Sequence, residues 1–148
     1  MSGDRRIEGV RGRRVWDSRG LPALEVEVSL AGGRFGIGAA PAAGLAAPGE
    51  PVDRRDGGAA FGGQDVVRAI CSVDTEIARA LVGLDAADQD AIDRRLIALD
   101  RTDDRRRLGG NAMLATSLAI AHAAAAADNV PLWQHLACGR PPGPLPLP

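Results

Sequence analysis

Residues 24–30 read Leu24-Glu25-Val26-Glu27-Val28-Ser29-Leu30, and this run decides the fold. Apolar and polar side chains alternate, so one face is buried and the other meets water, as in a half-buried β-strand. Gly32-Gly33 then turns the chain. Beyond it Phe35, Ile37 and Ala39 alternate with Arg34, Gly36 and Gly38, so the two runs read as an antiparallel hairpin. Upstream, Arg6 to Trp16 is a weaker strand, joined to the hairpin through the turn-rich Asp17-Ser18-Arg19-Gly20-Leu21-Pro22. The expectation is a three-stranded antiparallel β-meander within residues 5–40.

Working outward, residues 41–63 are rich in Ala, Gly and Pro, including Pro41, Pro48 and Pro51, and keep neither period. A loop this long inside a domain is expected to be a functional lid or a disordered segment. Helices are expected over 64–137. Val67, Ile70, Val73 or Asp74, Ile77 and Leu81 recur at three to four residues and end at Gly83. Asp85 is placed to cap the next helix, with Asp88 in its first turn and Ile92, Leu96 and Leu99 on one face. Asn111 to Ala127 is small and apolar almost all round, which predicts a central helix, stopped by Asp128-Asn129 and Pro131. A short amphipathic piece, Leu132 to Ala137, follows. Strands followed by helices on one side make an α+β fold: a meander and a helical bundle in one domain over 1–138, with a Pro-rich, linker-like tail over 139–148.

Composition narrows the function. The chain has 148 residues, 25% charged and 45% hydrophobic, with a formal net charge of -1. All 18 basic residues are arginine; lysine and tyrosine are absent. A guanidinium stays protonated, so lysine-type general base or Schiff-base chemistry is excluded. With 19 acidic residues against those arginines, no bulk field draws nucleic acid or an anionic membrane, and neither is an expected partner. Cys71 and Cys138 form no ligand grid and fit a reducing, cytoplasmic setting. The first ten residues carry no apolar signal segment.

Other chemistry falls away on inspection. A phosphate loop lacks its lysine, and Gly33, Gly36 and Gly38 lie within a strand, where close packing explains them better than dinucleotide binding. Asp88, Asp90 and Asp93 lack the glycine and glutamate of a calcium loop. His122 and His135 sit in helical segments among apolar neighbours, and Arg105-Arg106-Arg107, preceded by Asp103 and Asp104, reads as a solvated turn.

The motifs that remain resemble those of the enolases, the phosphopyruvate hydratases. Asp17-Ser18-Arg19-Gly20-Leu21-Pro22 is similar to DSRGNP, and the strand after it to VEVEV. Arg55-Asp56-Gly57 matches RDG, Gln89 and Asp93 match DQ-x-x-[IV]-D, and Leu99-Asp100-x-Thr102 resembles LDGT. Leu108-Gly109-x-Asn111-Ala112 resembles LGANA, Ser117-Leu118-Ala119 matches SLA, Pro131-Leu132-Trp133 resembles PLY, and Leu145-Pro146-Leu147-Pro148 resembles the LPVP that joins the two enolase domains.

The resemblance implies an enolase-type N-terminal domain, without the α/β barrel that holds the family's magnesium carboxylates and lysine base. The family reaction is a glycolytic lyase step, the Mg2+-dependent dehydration of 2-phosphoglycerate to phosphoenolpyruvate. The N-terminal domain's own part is a lid of the form PSGASTG-x-x-E, whose second serine binds the second Mg2+. Here the lid positions are Ala42, Leu45, Ala46 and Glu50, and the ligand serine has become Leu45. An isobutyl group does not coordinate a hard cation. No catalytic residue, and no metal ligand, is therefore expected in this chain alone. Arg13 and Glu25 fall where enolases make ion pairs across their dimer, and Arg101 stands where LDGT has glycine. The expected role is docking to an enolase-type barrel protein or a homo-oligomer. The alternatives are one half of a split lyase acting on a modified phosphonate or carboxylate, and a degenerate fragment.

Overall fold

The computed structural model describes residues 4–42, 47, 49–141 and 143. Strand β1 (Ile7–Trp16), β2 (Pro22–Leu30) and β3 (Phe35–Ala40) form one antiparallel sheet in the order β1-β2-β3. The helices follow: α1 (Val67–Ser72), α2 (Ala78–Leu81), α3 (Gln89–Asp100), α4 (Gly110–Ala127) and α5 (Leu132–Leu136). This is the expected α+β meander with helices behind it, and the sheet is open.

Leu24, Val26, Val28 and Leu30 of β2 are all buried, as the alternation requires. The third strand reverses the simple reading. Its register pairs Val26 with Gly38 and Val28 with Gly36, so the inward face of β3 is Gly36, Gly38 and Ala40, while Phe35 and Ala39 are exposed. The reason is the approach of α4. A Cβ on Gly36 would land on the backbone of Ala119 and Ala123, and one on Gly38 on the backbone of Ala115 and Ala119. Helix α4 is small along this line because the sheet lies against its backbone. By length and composition it could span a membrane, yet 67% of it is buried inside the fold, with Ala115, Ala119, Ile120, Ala123 and Ala124 in the core.

Residues 67–81 run as one helix interrupted by a π turn, Val73–Ile77, between α1 and α2. Its inward residues Ala69, Val73, Ile77 and Leu81 recur every fourth residue. A strict four-residue spacing drifts around a 3.6-residue helix, and the wider π turn absorbs the drift. Val67, expected on the inner face, is exposed, and Val66 is buried in its place. The helix begins at Val67 and not at Gln64, because the chain before it is still tied into the loop. This helix covers the outer edge of β1: Asp74 Oδ1 accepts the Gly12 amide at 2.7 Å, and Ile7 exchanges bonds with Leu84 (2.9 Å) and Gly83 (2.8 Å).

Two caps differ from expectation. Asp88, not Asp85, caps α3, its side chain accepting from Ala91 N at 3.0 Å. Asp85 instead accepts from Ala87 N and bridges to Arg6 and Arg5 at the foot of the sheet. The loop over 41–63 contains a 3-10 turn, Ala60–Gly63, and its second half is strapped to the domain by arginines.

Candidate functional site

The turn between β1 and β2 reaches the place where β3 leaves the sheet. In the first turn, Asp17 Oδ1 accepts the amides of Arg19 and Leu21, both at 2.9 Å. The Leu21 amide, against a smaller opposing effect of burial and with help from Arg19, holds the Asp17 carboxyl below the usual aspartate range. Gly20 has φ +72°, a conformation that favours glycine. Held this way, Arg19 donates from its guanidinium to the carbonyl of Ala42 at the root of the lid loop.

The second half of the loop is strapped by consecutive residues. Arg54 donates to the Arg107 carbonyl and to Ser72 Oγ at 3.3 Å, while its amide donates to Asn111 Oδ1 at 3.0 Å. Arg55 pairs with Asp53 at 2.7 Å and donates to the carbonyls of Pro22 (2.7 Å) and Gln64 (3.0 Å). Asp56 accepts the Val67 and Arg68 amides at 3.0 and 2.8 Å, capping α1 from eleven residues upstream.

Asp100 is a buried hub at the end of α3. Burial pushes its carboxyl up, but the Leu108 amide (2.7 Å), the Thr102 hydroxyl and amide, and Arg107 outweigh burial and hold it below the ordinary value. Arg107 in turn donates to the Leu99 and Asp100 carbonyls and pairs with Glu76 at 2.8 Å. Of the arginine triplet read as a solvated turn, Arg107 is thus a structural clamp. Gln89, Asp93 and Ser117 form a small network between α3 and α4, with Ser117 Oγ donating to Asp93 at 2.8 Å and Gln89 Nε2 donating to Ser117 Oγ at 2.9 Å.

A cleft of about 480 Å³ lies where β3 leaves the sheet, lined by Ala40, Ala42, Glu50, Asp53, Asn111 and Leu114 among others. Its polar side chains hold partners within the fold. Glu50 accepts the Ala47 amide at 2.9 Å, Asp53 pairs with Arg55 and Asn111 with Arg54. Among the described residues no three of His, Cys, Asp and Glu come together in a metal-sized group. Leu45 and Ala46 lie outside the described residues, and leucine offers a metal no donor atom. At the lid position, leucine in place of the ligating serine does not fit the Mg2+ that the resemblance implies.

Arg13 and Glu25 face each other across β1 and β2, with Arg13 Nε donating to Glu25 at 2.5 Å and a second contact to Glu27 at 3.4 Å. In the single chain their charges satisfy one another. His122 is exposed, and His135 lies 3.8 Å from Asp128.

The family model for Enolase, N-terminal domain, matches residues 7–136. The chain belongs to the enolase family. It is 46% identical over 131 residues to Enolase 1 of Methanospirillum hungatei JF-1, covering 88% of this chain and 31% of that protein. It is 47% identical over 131 residues to the Enolase of Rubrobacter xylanophilus, covering 88% and 30%. The chain spans about three-tenths of the length of these curated relatives. In this enolase N-terminal domain, then, recognisable motifs fasten the loop over 41–63. DSRG holds its first end, RDG caps the helix that follows, and Asn111 fastens its second half. What the sequence did not disclose is who partners whom. Asp56 with α1, Arg54 with Arg107 and Asp74 with Gly12 join residues far apart in the chain, and no local spacing announces them.

Proposed function

We propose that this chain serves as the lid and subunit-contact domain of an enolase-type lyase and is catalytically silent without a barrel. The observation that supports this most is the fastening of the Ala42 carbonyl by Arg19 beside a cleft whose acidic side chains, Glu50 and Asp53, already hold partners. Such a site positions a loop and does not perform proton transfer. Dehydration next to a carboxylate builds a multiply charged intermediate, which needs divalent cations and a base. The chain has no lysine, and its lid carries Leu45 in place of the ligating serine. Both must come from a barrel, whether it continues this polypeptide or belongs to a partner. Arg13 and Glu25 would then exchange their mutual pair for partners across a dimer, and a cytoplasmic location follows from the same reading.

A second reading is favoured by the apolar lining of the cleft. Ala40, Ala42 and Leu114 would suit a split lyase whose substrate, a modified phosphonate or carboxylate, presents a less polar surface to the lid.

The test is Mg2+-dependent dehydration of 2-phosphoglycerate by the purified chain, alone and with an enolase barrel domain. Activity only in the mixture is expected. Turnover by the chain alone, free of host enolase, would overturn the proposal.

A further inference from the structure

Most arginines whose contacts are described are spent inside the fold or on a neighbouring carboxylate. Eight side chains are not, among the described residues, and three of these, Arg79, Arg95 and Arg101, line neighbouring clefts. Arg79 and Arg95 line a cleft of about 250 Å³ with Glu76, Ala80 and Leu99, while Arg101 and Arg107 line one of about 400 Å³ with the same Glu76 and Leu99. The two clefts adjoin across those shared residues, between α2, α3 and the turn after α3. Four arginines and one glutamate line them, and Glu76 is already paired with Arg107. A molecule of net charge -1 thus concentrates positive charge at one place.

A second observation is independent of charge. Arg101 has φ +62°, a left-handed conformation that costs a side-chain-bearing residue free energy that glycine would not spend. The strained backbone sends a guanidinium to the cleft, and no described contact within the fold uses it.

We propose that Arg79, Arg95, Arg101 and Arg107 form a binding site for a ligand carrying several phosphate groups in a row, an oligophosphate chain. Guanidinium forks bind phosphate oxygens in pairs, and two adjoining clefts suit successive groups better than a single ion. A nucleic acid would want aromatic side chains for its bases, and none of the lining residues is aromatic. A peptide would want an unpaired strand edge or a deep apolar pocket, and the floor offers only Leu99 and Ala80. This site is separate from the lid and does not depend on the lyase reading.

The test is calorimetric titration of the intact chain with inorganic tripolyphosphate at low salt. Saturable binding is expected, weakening as salt rises and weakening about fivefold in each of Arg79→Gln, Arg95→Gln and Arg101→Gly. Arg101→Gly also relieves the backbone, so its melting temperature should not fall and its lost affinity is not unfolding. Arg11→Gln and Arg34→Gln, on other faces, should bind as the parent does. No binding, equal losses in the two controls, orthophosphate binding as tightly as tripolyphosphate, or a short single-stranded oligothymidylate binding more tightly would each overturn the proposal.

Discussion

The guanidinium of Arg19 donates to the carbonyl of Ala42, which ties the turn between β1 and β2 to the point where the long loop leaves β3. The same arginine is aligned by Asp17 at 3.1 Å. Replacing it with glutamine removes the tie while leaving the turn's backbone bonds. The expected loss is about 1 kcal/mol in urea unfolding, the worth of one net hydrogen bond, with faster amide exchange around Ala42. Unchanged exchange there would mean that the lid root is held by something else.

Asp56→Ala strips the cap from α1, whose first turn has no side-chain cap of its own. Helix caps of this kind contribute about 1–2 kcal/mol, and the variant should unfold earlier by that amount. Asp56→Asn keeps an acceptor oxygen and should recover part of the difference.

At Gly38 even alanine is too large, because the helix backbone occupies the space. Gly38→Ala is expected to cost about 3 kcal/mol through overpacking, where an exposed Gly→Ala change is nearly neutral. Urea titration against Gly143→Ala, at a position with open space around it, makes the comparison.

Acid should loosen the fold in a defined window. Asp65 and Asp100 are buried; burial pushes each carboxyl up, and hydrogen bonds and a neighbouring arginine bring it below its ordinary value. Exposed Asp4 is drawn to about 2 by hydrogen bonds from Arg6. Lowered folded-state values contribute stability that is complete above the unfolded aspartate value of about 3.9 and is lost as pH falls through the folded values. The urea midpoint should therefore be flat near neutrality and decline below about pH 4. Asp100→Asn should be less stable at neutral pH and show a shallower decline.

If the lid serves a barrel's metal, Leu45→Ser returns a donor oxygen to the family's ligand position. With an enolase barrel present, turnover of 2-phosphoglycerate should rise about tenfold, roughly the worth of one new metal ligand or charge-assisted contact. No change would favour the reading in which the apolar lid fits a different substrate.

Much of this architecture was legible in the chain. Alternation in β2 is unambiguous because one face meets water, and the Ala-rich 111–127 stretch announces a helix packed at close range. The inward face of β3 was harder. Hydrophobicity favours Phe35 and Ile37, yet packing distance selected Gly36 and Gly38, and distance to a helix eighty residues away is not written in a strand. The long loop was visible as a break in periodicity. Its fastenings were not, since hydrogen bonds between residues such as Arg54 and Arg107 depend on the finished tertiary arrangement. Asp85 was read as a cap because aspartate before a helix is a strong local signal, and Asp88 three residues on offers the same signal nearer the first turn.

The bond from Gly12 to Asp74 and the exchange between Ile7 and residues 83–84 leave the rim of the sheet at β1 with fewer vacant amides. A visitor cannot extend the sheet there by donating a strand without first evicting the helix. Recognition on that flank must proceed through side chains, which makes it tunable by single substitutions and guards the protein against runaway strand-to-strand stacking.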